Sequence, residues 1–374
     1  MSLHNRREIL GMSAGLLTAA LAGCTGTNAG EGSGGANGDG EPTVQASFFV
    51  LSDFAEHVAG DAAAVENLVP FGQHGHGWEP GPDLQRAVIQ SDAFVYMGEG
   101  FQPWADKVVT NIEDADSDVA VVEARHGVDL LGPPEDEAEH GHDEETHNNE
   151  THDEHSNGTH DEHEGEHDDT HENETHDDEE SGDHEESTGD DDHDHGDADP
   201  HFWLDPTRAA TAVETIRDGF ADFDSSNADT YAENADSYLD DLDDLDATFE
   251  EELSNRERED VLVAGHNALQ YLGDRYDFHV HALTGLSPDD QPSAQDTRRA
   301  QELIEEYGIT HVLAPVFESD RAARQLVEET DAEEALPVTS IPGVTEEWHE
   351  NGWGYVDVMR EVNLGSLKTA LGAE

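Results

Sequence analysis

The chain has 374 residues, with 16 Lys and Arg against 90 Asp and Glu, for a formal net charge of −74. Such a charge argues against nucleic acid or an anionic bilayer as a partner, because both would repel it. High salt screens self-repulsion of this kind, so an extreme halophile, archaeal in type, is the expected source.

The first 24 residues read as a targeting segment. Arg6 and Arg7 form a twin-arginine pair ahead of an apolar run from Ile9 to Gly23. That run is about 15 residues long, short of the roughly 20 that a membrane-crossing helix needs. It closes on Leu21-Ala22-Gly23-Cys24, which reads as a lipobox, and Cys24 is the only cysteine. No intrachain disulfide can therefore form, and Cys24 is the expected lipidation site after cleavage before it. The twin arginines imply export of the chain already folded. Residues 25–42 are rich in Gly, Asn and Ser and read as a flexible tether. The body is thus expected outside the cytoplasm, lipid-anchored on the outer face of the cell membrane.

Residues 43–226 read as a first α/β lobe. Strands are expected at Thr43–Val50, Ala63–Val69, Ala93–Met97 and Ala120–Val122. Helices alternate with them, one beginning at Phe54 and others over Leu84–Gln90, Pro103–Asn111 and Pro206–Phe220. Such alternation implies a largely parallel sheet.

Inside this lobe, residues 135–197 hold 13 His, 30 Asp or Glu and no Lys or Arg. The segment carries too little apolar surface to offset its ordering entropy and is expected to be disordered. Imidazoles mixed with carboxylates suit borderline divalent metals, zinc above all. Without that segment the charge is still strongly negative, so the folded part is acidic too.

Residues 227–255 read as a linking helix. Tyr231, Ala235, Tyr238, Leu242, Leu245, Phe249 and Leu253 recur at steps of four and three. The stripe predicts an amphipathic helix of about 26 residues, roughly 39 Å long, whose apolar side is a packing face. Residues 256–374 then repeat the α/β pattern. Strands are expected at Val261–Ala264, Phe278–Leu283, Thr310–Ala314 and Pro337–Ile341. Helices are expected at Ala268–Tyr276, Asp296–Tyr307, Ser319–Glu329 and Tyr355–Leu371. The fold class is α/β, with two lobes joined by one long rigid helix.

Three histidines lie at or beside the carboxyl ends of expected strands, where open α/β sheets hold ligands. His76 stands in His76-Gly77-Trp78-Glu79-Pro80-Gly81-Pro82, His201 in Asp199-Pro200-His201-Phe202-Trp203-Leu204-Asp205-Pro206, and His266 in Gly265-His266-Asn267-Ala268. These segments, in this order, resemble the zinc-binding branch of the solute-binding proteins that serve ABC-type metal importers. Gln291-Pro292-Ser293 and the terminal helix from Met359 to Leu371 fit as well. The resemblance runs from about Val44 to Leu371, with the acidic segment as an insertion.

The resemblance implies a metal held in the interlobe cleft by His76 and His201 from the first lobe and His266 from the second. It implies zinc as the transported ligand, a membrane permease as partner, a monomer, and no enzyme activity. Manganese-selective relatives have a carboxylate where His266 stands, and nitrogen ligands favour zinc over manganese. His74 is expected to act from outside the ligand set, and Asp205 and Glu79 to orient histidines or cap turns. The aspartate that such relatives supply near the last strand is missing from Pro337-Val338-Thr339-Ser340-Ile341-Pro342-Gly343. Water or Glu318 are the candidates for the fourth position.

Three other functions fit the same residues: a receptor for manganese or another divalent metal, a zinc-buffering surface protein or adhesin, and a three-histidine zinc hydrolase. The one His-Glu-x-x-His match, His163 to His167, lies in the acidic segment and the one Gly-x-Ser-x-Gly match, Gly11 to Gly15, in the targeting segment, so no such helix or turn of the lobes supports the hydrolase.

Overall fold

The computed structural model describes residues 41–70, 78, 80–115, 117–133, 198–288 and 290–373. The targeting segment with Cys24, His74, His76, Glu79 and residues 135–197 lie outside them.

Two four-stranded parallel sheets organise the described chain. The first runs β2-β1-β3-β4, from β1 (Thr43–Ala46), β2 (Ala64–Asn67), β3 (Ala93–Tyr96) and β4 (Ala120–Glu123). Its helices are α1 (Phe49–Ala59), α2 (Pro82–Gln90), α3 (Pro103–Asp114) and α4 (Pro206–Phe223). The second sheet runs β6-β5-β7-β8, from β5 (Asp260–His266), β6 (His279–Thr284), β7 (His311–Pro315) and β8 (Glu334–Val338). Each sheet has its second strand beside its first, then the third and fourth. In each, crossovers diverge between the first and third strands, and the crevice at their carboxyl ends is where such sheets hold ligands. All four residues of β3 are buried, as a parallel strand covered on both faces requires.

Between the lobes runs α5 (Ala228–Leu253), 26 residues long. Its buried residues are the seven of the predicted stripe, Tyr231 through Leu253. That face packs on α1 and α4 of the first lobe. It also meets α6 (Gln270–Tyr276) and the terminal helices of the second lobe. One continuous core therefore takes in Phe54 and Phe220, Tyr238 and Phe249, and Tyr271 and Leu367. The remainder of the second lobe is α7 (Ala294–Tyr307), α8 (Arg321–Glu329), α9 (Glu346–Glu350), α10 (Tyr355–Val358) and α11 (Gly365–Leu371). No helix among the described residues is long and apolar enough to cross a membrane.

Several boundaries differ from those the sequence suggests. The first strand stops at Ala46 instead of Val50, and α1 takes over at Phe49. Phe49, Val50 and Leu51 are all buried, and an apolar run without polar alternation does not distinguish strand from helix. The last strand lies at Glu334–Val338, because Ile341 adopts φ 56° and cannot extend it. The terminal helix is three segments, in which a π-helical turn over Met359–Leu364 separates α10 from α11. A 3-10 turn at Phe202–Leu204 and helix α9 had no counterpart among the expected elements.

Candidate metal centre

β5 ends on His266, which is only 2% exposed. His201 sits just ahead of the 3-10 turn that leads into α4 and is 1% exposed. One side chain comes from each lobe, and their ring centroids lie 5.3 Å apart. These two expected ligands are brought together, while His76 lies outside the described residues. Among the described residues, no group of three or more His, Cys, Asp or Glu is placed to hold a metal.

Each imidazole is oriented by a carboxylate on its Nδ1. Asp199 Oδ1 accepts from His201 Nδ1 at 2.8 Å and from the His201 backbone N–H at 2.9 Å. Glu318 Oε1 accepts from His266 Nδ1 at 2.5 Å. A carboxylate can only accept, so each neutral ring carries its proton on Nδ1 and its lone pair on Nε2. Metal-binding histidines are commonly fixed in this way, with one nitrogen on a carboxylate and the other facing the metal.

Local backbone choices make these contacts possible. A side chain at Gly265 would run into Glu318 and Pro315, so glycine there lets Glu318 reach the neighbouring His266. Asp199 is 0% exposed, buried beneath the loop it orients. Asp205 serves the helix instead. Its Oδ1 accepts from the Thr207 N–H at 2.8 Å and caps α4, while its Oδ2 takes Arg208 at 2.7 Å. Glu318, the candidate fourth ligand, is held against the Nδ1 edge of His266.

After β8 the chain turns around Ile341, and the neighbouring Ser340 carbonyl accepts from Trp203 Nε1 of the His201 loop at 2.8 Å. A β-branched residue at positive φ is strained, and strain of this kind gathers at functional sites. Thr339 Oγ1 accepts from the Ile341 N–H at 2.8 Å. Asn363, fully buried, both accepts from the Thr339 N–H and donates to the Thr339 carbonyl at 2.9 Å. The π-helical turn that places Asn363 leaves no periodic signal, so sequence reasoning missed it. It also missed the orienting role of Asp199, although the Asp199-Pro200-His201 motif was in view.

The profile of the zinc-uptake complex component A, periplasmic (ZnuA) family matches residues 44–370. The chain belongs to the ZnuA family. One ZnuA-family relative, the high-affinity zinc uptake system protein ZnuA of Bacillus subtilis, is 26% identical over 351 residues, covering 94% of both chains. The zinc-binding lipoprotein AdcA of Streptococcus pneumoniae is 27% identical over 331 residues, covering 88% of this chain but 56% of that protein. This chain thus spans about half the length of AdcA. The crystal structure of the Zn(II)-bound ZnuA-like domain of AdcA superimposes with a TM-score of 0.65 at 25% identity, covering 89% of this chain and 99% of that domain. The laminin-binding protein Lmb of Streptococcus agalactiae shares the fold at 19% identity and a TM-score of 0.65.

Proposed function

We propose that this protein is an extracytoplasmic zinc receptor that delivers Zn2+ to the membrane permease of an ABC-type importer. The observation that carries this reading is the pair of buried imidazoles, His201 and His266, 5.3 Å apart with a carboxylate on each Nδ1. Two nitrogen donors with fixed tautomers, contributed by opposite lobes, suit a tetrahedral ion of borderline softness. His76 is the third nitrogen donor in this reading, and water takes the fourth place. Glu318 already holds the Nδ1 proton of His266, so its proposed role is to orient that ring and strengthen its lone pair. Zinc is the cargo here, so the site must take up and surrender the ion without reaction; membership of the ZnuA family is the basis for reading the chain as a receptor and not a hydrolase.

The remaining parts fit around that site. Cys24 is the proposed lipid anchor and residues 25–42 the tether, with export through the twin-arginine route. The His-rich segment 135–197 gathers zinc near the cleft. Its flanks meet there, since the Asp199 N–H donates to the Leu131 carbonyl at 2.8 Å, two residues from His201. The acidic surface keeps the monomer soluble in high salt.

The test is a zinc titration of metal-free protein at high salt, with manganese as competitor, on the full chain and on one lacking residues 135–197. A single tight, manganese-resistant site in both supports the receptor. Zinc binding confined to the full chain would favour a zinc-buffering surface protein in its place.

A further inference from the structure

The loop that carries His201 belongs to the first lobe, yet the second lobe holds it at three points. Tyr271, on α6, donates from Oη to the Asp199 carbonyl at 2.7 Å, and the same oxygen accepts from the Leu131 N–H at 2.9 Å. Tyr355 Oη donates to the Trp203 carbonyl at 2.5 Å. Trp203 Nε1 donates to the Ser340 carbonyl at 2.8 Å. Tyr271, Tyr355 and Trp203 are each at most 1% exposed, so these bonds are shielded from competing water.

Tyr271 has the most direct line to the site. Asp199 is the residue whose carboxylate holds His201 Nδ1, and Tyr271 holds the backbone of Asp199. Tyr271 also lies five residues after His266, on the segment that leaves β5. One stretch of the second lobe thus bears one imidazole and fastens the loop bearing the other. We propose that Tyr271 is a positioning residue for zinc binding, setting His201 against His266 through Asp199. This rests on the zinc-receptor reading of the cleft. A consequence is that the two imidazoles are placed together before metal arrives, so affinity depends on an interlobe hydrogen bond that touches no ligand.

The experiment compares Tyr271→Phe with Tyr276→Phe in the full chain. Both remove a single buried hydroxyl from α6 and keep the ring. Tyr276 Oη donates to Asp246 of α5 at 2.9 Å and not to the His201 loop. Zinc affinity is read by competition with a chromophoric chelator strong enough to strip the His-rich segment. Tyr271→Phe is expected to weaken the tight site by about tenfold, and Tyr276→Phe to leave it unchanged. Equal weakening by both variants, or none from Tyr271→Phe beside a tight wild-type site, overturns the proposal. A second readout needs no zinc. In metal-free protein, the 15N resonances of the His201 ring should report one Nδ1-protonated tautomer in the wild type and a mixture in Tyr271→Phe. An unchanged His201 signature refutes the positioning role even if the cleft proves not to bind zinc, whereas absence of a tight wild-type zinc site with a shifted signature refutes only the zinc reading.

Discussion

Glu318 Oε1 lies 2.5 Å from His266 Nδ1, although the two residues are 52 positions apart in the chain. β5 and β7 are neighbours in the second sheet, so His266 at the end of one strand meets Glu318 in the turn after the other. The carboxylate fixes which nitrogen bears the proton and makes the opposite nitrogen a better donor. Glu318→Gln keeps the shape but removes the charge. Zinc affinity of this variant should fall by about ten- to a hundredfold, read by chelator competition, with the melting temperature little changed. An unaltered affinity would show that Glu318 does not tune the ring.

Gly265 is the neighbour that makes the Glu318 contact possible. Adding one methyl there, Gly265→Ala, places a carbon against the Glu318 carboxylate and the Pro315 ring. Overpacking of this kind should destabilise the protein by about 1–3 kcal/mol. Chemical denaturation measures that cost, and zinc affinity should drop with it as Glu318 is displaced.

Loss of a donor should be far more severe than loss of its support. His201→Ala and His266→Ala, and by the same reading His76→Ala, should each abolish the tight site while the weaker binding assigned to residues 135–197 persists in calorimetry. His266→Asp replaces nitrogen by oxygen and should shift the preference toward manganese. A chain that kept full tight binding after any of these changes would remove that residue from the ligand set.

Asp53 gives a pH-dependent prediction away from the cleft. It lies on α1, is 7% exposed, and accepts from Tyr238 Oη of α5 at 2.8 Å. Burial raises its carboxyl above the ordinary value of 3.8, against the opposing pull of His57 and of the hydrogen bonds from Tyr238 and Tyr355. Between that ordinary value and the raised one, the folded chain keeps a proton that the unfolded chain has released. Stability contributed by Asp53 therefore falls as pH rises through the window. Asp53→Asn removes the titration, so its melting temperature should gain on that of the wild type as pH goes from about 4 to 7. A difference constant over that range would mean that Asp53 titrates alike in both states.

Periodic features of the fold were legible in the chain. The stripe from Tyr231 to Leu253 is a local repeat, and the structure buries those same seven residues. Alternation of strands and helices likewise announced two α/β lobes. Boundaries were less legible where local patterns are silent. The apolar run after Ala46 fits a strand or a helix, and nothing local marks the π-helical turn at Met359–Leu364. At the site, the motifs singled out His201 and His266, and the structure brings them together. The orienting roles of Glu318 and Tyr271 became visible only when distant segments met, while that of Asp199, two residues from His201, needed the conformation of the loop itself.

By itself the sequence determined the class of fold, the long helix, the acidic surface and the residue types available for metal. Those follow from composition and from periods of two and 3.6, which are properties of neighbouring residues. Tertiary structure alone decided that Glu318 serves His266 from 52 positions away and that Tyr271 fastens a loop of the other lobe. Hydrogen bonds are directional and short, so they depend on where the sheets and α5 bring remote residues, and no local pattern encodes that meeting.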